Sequence, residues 1–168
     1  MRYGQSPTRS IPLPEIWKPL PKTNRNLSAP FDGDSYLFRI GGLAWQGRLQ
    51  GPYWDLAKGP RVPHQSPRHF PEVSGWLPLS LLDRFWHTHD IPPSSHSVVV
   101  QLVGGGYWRS GFWSVARNLW ELPDLQLDRS APVRRIVLRA SQISAWVDLE
   151  EIATTLWRTS QIDAEVAW

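Results

Sequence analysis

No cysteine occurs among the 168 residues, which excludes a disulfide framework, Cys-ligated zinc or iron–sulfur centres, thiol nucleophiles and redox switching. Lysine is scarce as well: Lys18, Lys22 and Lys58 are all there is, and no Ser–Lys pair has the SxxK spacing of an activated serine. No apolar run reaches the length of a signal peptide or a membrane span. The chain is therefore expected to be soluble and cytoplasmic, with no membrane partner. A GxSxG elbow, a GxGxxG fingerprint and a GxxxxGK[ST] phosphate loop are also missing, so neither acyl transfer nor nucleotide hydrolysis is expected. We expect a non-enzymatic protein without a cofactor.

Two kinds of residue are abundant instead: 11 Trp, against 5 Phe and 4 Tyr, and 16 Pro. An indole ring is a large apolar surface with one N–H that needs a partner, so it suits cores with a wet edge, interfaces and stacking platforms. Eleven rings exceed what one small core normally absorbs, and several are expected at the surface. Net charge is +3 over the whole chain, but residues 1–30 alone carry a balance of +4. The basic character thus belongs to an N-terminal arm, not to the body.

That arm, residues 1–30, holds prolines at 7, 12, 14, 19, 21 and 30 and is expected to be extended. Residues 31–168 are expected to form one domain. Within the arm, Trp17, Lys18, Lys22 and Arg25 are candidates for binding a partner, although Trp17 and Leu20 could equally strap down over the chain's own core.

In the body, Tyr36-Leu37-Phe38-Arg39-Ile40 and Leu43–Leu49 flank Gly41-Gly42, a hairpin signal. Residues 51–78 are broken by six prolines and three glycines and predict a long irregular connection. Helical spacing follows at Leu79, Leu82, Phe85, Trp86 and His89. Ser97–Val103 is β-branched and apolar, a central strand. Phe112, Val115, Ala116, Leu119 and Trp120 again fall at helical spacing, with a hairpin through 107–116 as the alternative. Val133–Arg139 predicts a strand, and residues 141–158 a helix, for which Asp148 and Glu151 offer a later capping-box start. The sum is an α+β class: an antiparallel or mixed sheet of about four strands with two or three helices on one face, preceded by the extended Pro-rich N-terminal arm.

Three constellations bear on function. Gly104-Gly105-Gly106-Tyr107-Trp108-Arg109 sets two aromatics and a guanidinium at an expected loop tip, the combination that stacks a base and meets its phosphate. With Arg39 and Arg48 on the polar face of the hairpin, Tyr107, Trp108 and Arg109 are the candidate nucleic-acid-binding residues, and single-stranded nucleic acid is the leading expected partner. A protein-interaction module using exposed Trp and the arm is the rival. The five histidines all lie between His64 and His96, which raises a metalloenzyme as a third reading. However, His87-Thr88-His89-Asp90 falls short of an HxHxDH pattern, and residues two apart on a helix point away from each other. The oligomeric state is left open.

Overall fold

The computed structural model describes residues 15–20, 34–51, 53–63, 72–92 and 97–166, and the side chains of the last helix as far as Ser160. Gly41 and Gly42 both take positive φ, 55° and 79°, the backbone a two-residue hairpin turn requires. They join β1 (Tyr36–Ile40) to β2 (Leu43–Gln50), with Ile40 opposite Leu43 and Phe38 opposite Trp45. Gly51, also at positive φ, turns β2 into β3 (Tyr53–Leu56), which pairs with the short β4 (Arg61–Pro63). Strand β5 (Val73–Pro78) returns along the other side of β1.

A 3₁₀ segment, Leu79–Arg84, leads toward β6 (Val98–Leu102), β7 (Trp108–Ser114) and β8 (Leu119–Pro123). After an eleven-residue connection come β9 (Arg135–Leu138), β10 (Ile143–Val147) and the single long helix α1 (Leu149–Val166). The main row is β10-β6-β7-β2-β1-β5, with β3–β4 branching from β2 and β8–β9 from β7. Each of these pairings is antiparallel. Together the ten strands form one large curled sheet, a half-barrel.

This corrects the α+β expectation of about four strands with two or three helices on one face. Four stretches account for the error, the first being the helix expected through Leu79–His89, of which only the 3₁₀ segment Leu79–Arg84 forms. The segment 112–120 is not a helix but the β7–β8 hairpin, its turn closed by Asn118 at φ 55°. There Trp113 and Trp120 face each other across the ladder, their rings edge-on at 5.4 Å. Helical spacing of apolar residues coincided with strand alternation, and the cross-strand aromatic pair decided between them. Residues 143–147 form a strand against β6, and the helix begins only at Leu149. There the Asp148 carboxylate accepts the Glu150 N–H at 2.9 Å, and Glu150 and Glu151 sit in the first turn, where the dipole favours them. Finally, the Pro-rich 51–78 region carries β3, β4 and β5. Its described prolines fall at a strand end, Pro63 and Pro78, or just before a strand, Pro60, where a missing N–H costs least.

The interior consists of three apolar clusters, centred on Phe38–Trp54, on Leu37–Leu82–Ile152 and on Trp113–Trp120–Trp146. Trp45, Trp54, Trp108, Trp113, Trp120 and Trp146 are all buried, whereas Trp17, Trp76 and Trp157 are partly buried. Among the described tryptophans Trp86 alone is exposed, at 46%. The large rings are accommodated in these clusters, and two of the buried indole N–H groups find backbone carbonyls. Trp45 donates to Ala57 and Trp146 to Asp90, both at 2.9 Å. The expected surplus of surface indoles is absent among the described residues.

Candidate interaction surface

Each residue singled out in the sequence has a definite place. Gly104–Gly106 form a turn, but Tyr107 is already buried and Trp108 and Arg109 begin β7 inside the sheet. Arg109 is 1% exposed, opposite Trp45 in the β2–β7 pairing, its guanidinium 4.0 Å above that indole. One terminal nitrogen donates to Pro123 O at 2.8 Å and to Asp124 Oδ1 at 2.9 Å, while Nε has no partner. Tyr107, two residues earlier on the same face, stacks on the same indole at 6.4 Å. Of the five residues expected to meet a nucleic acid, Tyr107, Trp108 and Arg109 form part of the interior.

Arg39 and Arg48 lie on the hairpin, facing carboxylates. Arg39 meets Glu15 at 3.2 Å and donates to Ser74 Oγ, and Arg48 lies 3.8 Å from Asp55. Glu15 belongs to the arm. In the described part of that arm, Lys18 forms a two-way backbone bridge with Trp76 of β5, N···O 3.0 Å in both directions. Trp17 lies under the Arg39 guanidinium at 5.7 Å, and its Cβ approaches Gly75 closely enough that a side chain there would touch it. Trp17 and Lys18 therefore face the chain's own sheet. Lys22 and Arg25 lie outside the described residues, as do His64, His69 and His96.

His87 bridges backbone to backbone with Trp146, and its ring stacks on that indole at 4.0 Å. Its two nitrogens meet Asp90 at 3.0 Å and Glu151 at 2.8 Å. Desolvation alone would lower its pKa. The hydrogen bonds and charges of Glu151 and Asp90 outweigh that and hold it above the ordinary 6.5. The His87 ring ties the 85–91 segment to the start of α1. Among the described residues no group of three His, Asp or Glu side chains is arranged to hold a metal ion.

Among the described residues, one sizeable border of the sheet stays open. Exposed strand borders invite pairing with other chains, and proteins cover or interrupt them. Here β5 is bridged by Lys18, and β10 by His87. β4 is three residues long and ends in proline. β9 pairs with β8 and, among the described residues, with nothing else. Residues 132–137 are exposed without interruption, including Ile136 at 40% and Val137 at 44%.

The hydrogen-bond phase of this border follows from one contact. Asp124 N–H donates to Arg134 O, directly opposite, at 2.8 Å. In an antiparallel ladder bonded pairs alternate. The pairs Leu122–Ile136 and Trp120–Leu138 are then bonded across the ladder, and the N–H and C=O groups of Arg135 and Val137 point outward. Cations surround them. Arg134, Arg135 and Arg139 are exposed, and the nearby Glu121 lies between Arg117 at 3.3 Å and Arg135 at 3.2 Å, one carboxylate for two guanidiniums.

At the N-terminal end of β9 the 124–134 connection walls a cavity of about 470 Å³. Gln126 pins that connection by donating to Ala131 O at 2.7 Å and Arg129 O at 3.1 Å. Trp45 and the Lys58–Pro60 turn line the same cavity. A second cavity, about 280 Å³, lies beside Trp113, Trp120 and Trp146. No protein-family model, curated protein or solved structure matches this chain. Among the described residues, no helix is long and apolar enough to cross a membrane.

Sequence reasoning found β9 as a strand but did not mark Arg134, Arg135 or Arg139 as functional. The available signal was the spacing of arginines through Val133–Arg139 after Pro132, since charge and proline near a strand are the signs of an exposed border. Lys58 gave no comparable signal.

Proposed function

We propose that this chain is a non-enzymatic protein-interaction module that receives an extended, acidic segment of another protein as an added strand along β9. The observation that carries the reading is the outward-facing backbone of Arg135 and Val137 on the one sizeable border that is uncovered among the described residues. Strand addition supplies main-chain hydrogen bonds, while side chains flanking the border set preference. Ile136 and Val137 offer apolar contact on both faces, and the three arginines favour carboxylates. Those arginines also oppose pairing of β9 with β9 of a second copy, which would bring like charges together.

A nucleic acid finds less here. Stacking needs exposed rings, and the exposed aromatics among the described residues, Tyr53 and Trp86, lie outside the β8–β9 ribbon. A cytoplasmic setting belongs to the same proposal.

The test uses Val137→Pro. Proline removes an N–H that points away from β8, so the β8–β9 ladder keeps its bonds while the border loses a donor. Titration of ¹⁵N-labelled protein with a peptide of alternating glutamate and valine should give saturable, salt-sensitive shifts at Arg135 and Val137. Val137→Pro should abolish the binding. Equal binding by wild type and variant, or shifts confined to another strand, would overturn the reading. So would preferential, salt-dependent binding of a single-stranded oligonucleotide at this border, which would reinstate nucleic acid.

A further inference from the structure

The cavity beside β9 has a defined relation to the added strand, and the inference drawn from it rests on the strand-addition reading. A strand that continues the antiparallel pattern of this sheet runs opposite to β9. Its C-terminal end then lies at the N-terminal end of β9, where Arg134 and the 124–134 connection wall the cavity.

Two carboxylates and two cations line that cavity. Asp124 is held by Arg109 at 2.9 Å. Asp128 accepts the Ser130 N–H at 2.9 Å, and its hydrogen bonds from the Ser130 backbone and side chain keep its pKa below the usual value. Lys58 and Arg134 also line the cavity, and among the described residues neither has a carboxylate within ion-pair distance. Lys58 moreover stands at φ 54°, a left-handed conformation that a turn ordinarily gives to glycine or asparagine. Lysine there gains nothing for the turn. What it adds is a second cation to a cavity that Arg134 and Trp45 also line. Its backbone strain is an observation of this fold, and its position beside a cavity suits a binding role.

We propose that this cavity is the subsite for the C-terminal residue of the strand added to β9. The terminal carboxylate lies between Lys58 and Arg134, and the last side chain enters toward Trp45. The partner is thus a protein whose extended acidic tail ends at this point, not one that passes through. Capture of a chain terminus by a carboxylate site next to an added strand is a physically coherent unit, because backbone pairing fixes the register and the terminal charge fixes the end.

The probe is N-acetyl-phenylalanine against N-acetyl-phenylalaninamide, read at the Trp45 indole N–H, a resonance marked by its bond to Ala57 O. The free acid should give a saturable shift, and the amide should bind about fivefold more weakly, the upper end for one exposed ion pair. Lys58→Gly removes the ammonium and relieves the positive φ, so loss of binding cannot be ascribed to unfolding. Arg134→Gln removes the other cation. Each should weaken the acid about threefold or more and leave the amide unchanged.

Equal shifts from acid and amide, no movement of the indole, or wild-type affinity in both variants would overturn the proposal. If the alternating glutamate–valine peptide binds β9 while neither small probe moves Trp45, strand addition stands and the terminal subsite falls. If the acid binds but no peptide engages β9, the strand-addition reading fails and the subsite as the end of an added strand fails with it.

Discussion

Replacing Arg109 probes whether the aromatic cluster is interior structure or a recognition element. Arg109→Ala removes a desolvated cation–π contact with Trp45 worth about 2 kcal/mol and charge-assisted bonds to Pro123 O and Asp124 worth roughly 1.5–3 kcal/mol each. These terms overlap, and loss of one partner of a buried pair typically costs 3–5 kcal/mol. The expected loss is about 4 kcal/mol. Arg109→Met keeps most of the stem's volume and removes the Nε, whose lack of a partner is itself a cost of about 1–3 kcal/mol. Asp124 is partly exposed and can be rehydrated, so methionine should cost about 2 kcal/mol or less. Urea unfolding followed by Trp fluorescence measures both. With an m value of about 2 kcal/mol/M, alanine should lower the midpoint by about 2 M, and methionine by about half that or less. A loss below about 1 kcal/mol for alanine would refute the argument, since the guanidinium would then be solvated and available to an external ligand. Equal losses for the two variants would refute the role assigned to Nε.

His87 makes stability pH-dependent with a definite sign. Its folded pKa is raised, so its contribution is fully present below the unfolded value near 6.5 and is lost as pH rises through the folded value. The stability gap between wild type and His87→Gln should therefore shrink from pH 5.5 to pH 8.5, and a constant or widening gap would contradict the imidazolium bridge. Gly47→Ala would place a Cβ 2.9 Å from the Asp55 backbone carbonyl and should cost about 2 kcal/mol by forcing β2 and β3 apart, read as a lower urea midpoint at unchanged m. Trp17→Ala removes the ring between Arg39 and Gly75. It should cost about 1–2 kcal/mol, less than a fully buried Trp, and raise amide exchange at Trp76, whose N–H is bonded to Lys18 O. Unchanged exchange at Trp76 would show that the strap does not depend on Trp17.

The legible parts of the fold were those whose signal is local. Gly41-Gly42 between alternating runs specifies a hairpin, Ser97–Val103 reads as a buried strand by side-chain type, and Asp148 marks a helix start. The illegible parts depend on partners distant in sequence. Val115, Leu119 and Trp120 satisfy a helical period, and only the pairing of Trp120 with Trp113 and with Leu138 makes them strand and turn. Trp146 fits a helical stripe equally well, yet its place is fixed by β6 and by His87. The candidate site suffered more. Arg109 beside Trp108 suggests an exposed pair, but its aromatic partner is Trp45, sixty-four positions away in the chain and directly opposite in the sheet. The availability of β9 depends on which other borders are covered, which no local pattern records.

Among the described residues β9 presents an uncovered backbone border. Residue-resolved amide hydrogen exchange of the protein alone reads this out. Ile136 and Leu138, bonded to β8, should be protected, whereas Arg135 and Val137 should exchange near the rate of an open chain, giving an alternating pattern along four residues. Protection at Arg135 and Val137 equal to that of their neighbours, in the monomeric protein without any added partner, would mean that the border is already covered and would contradict the claim.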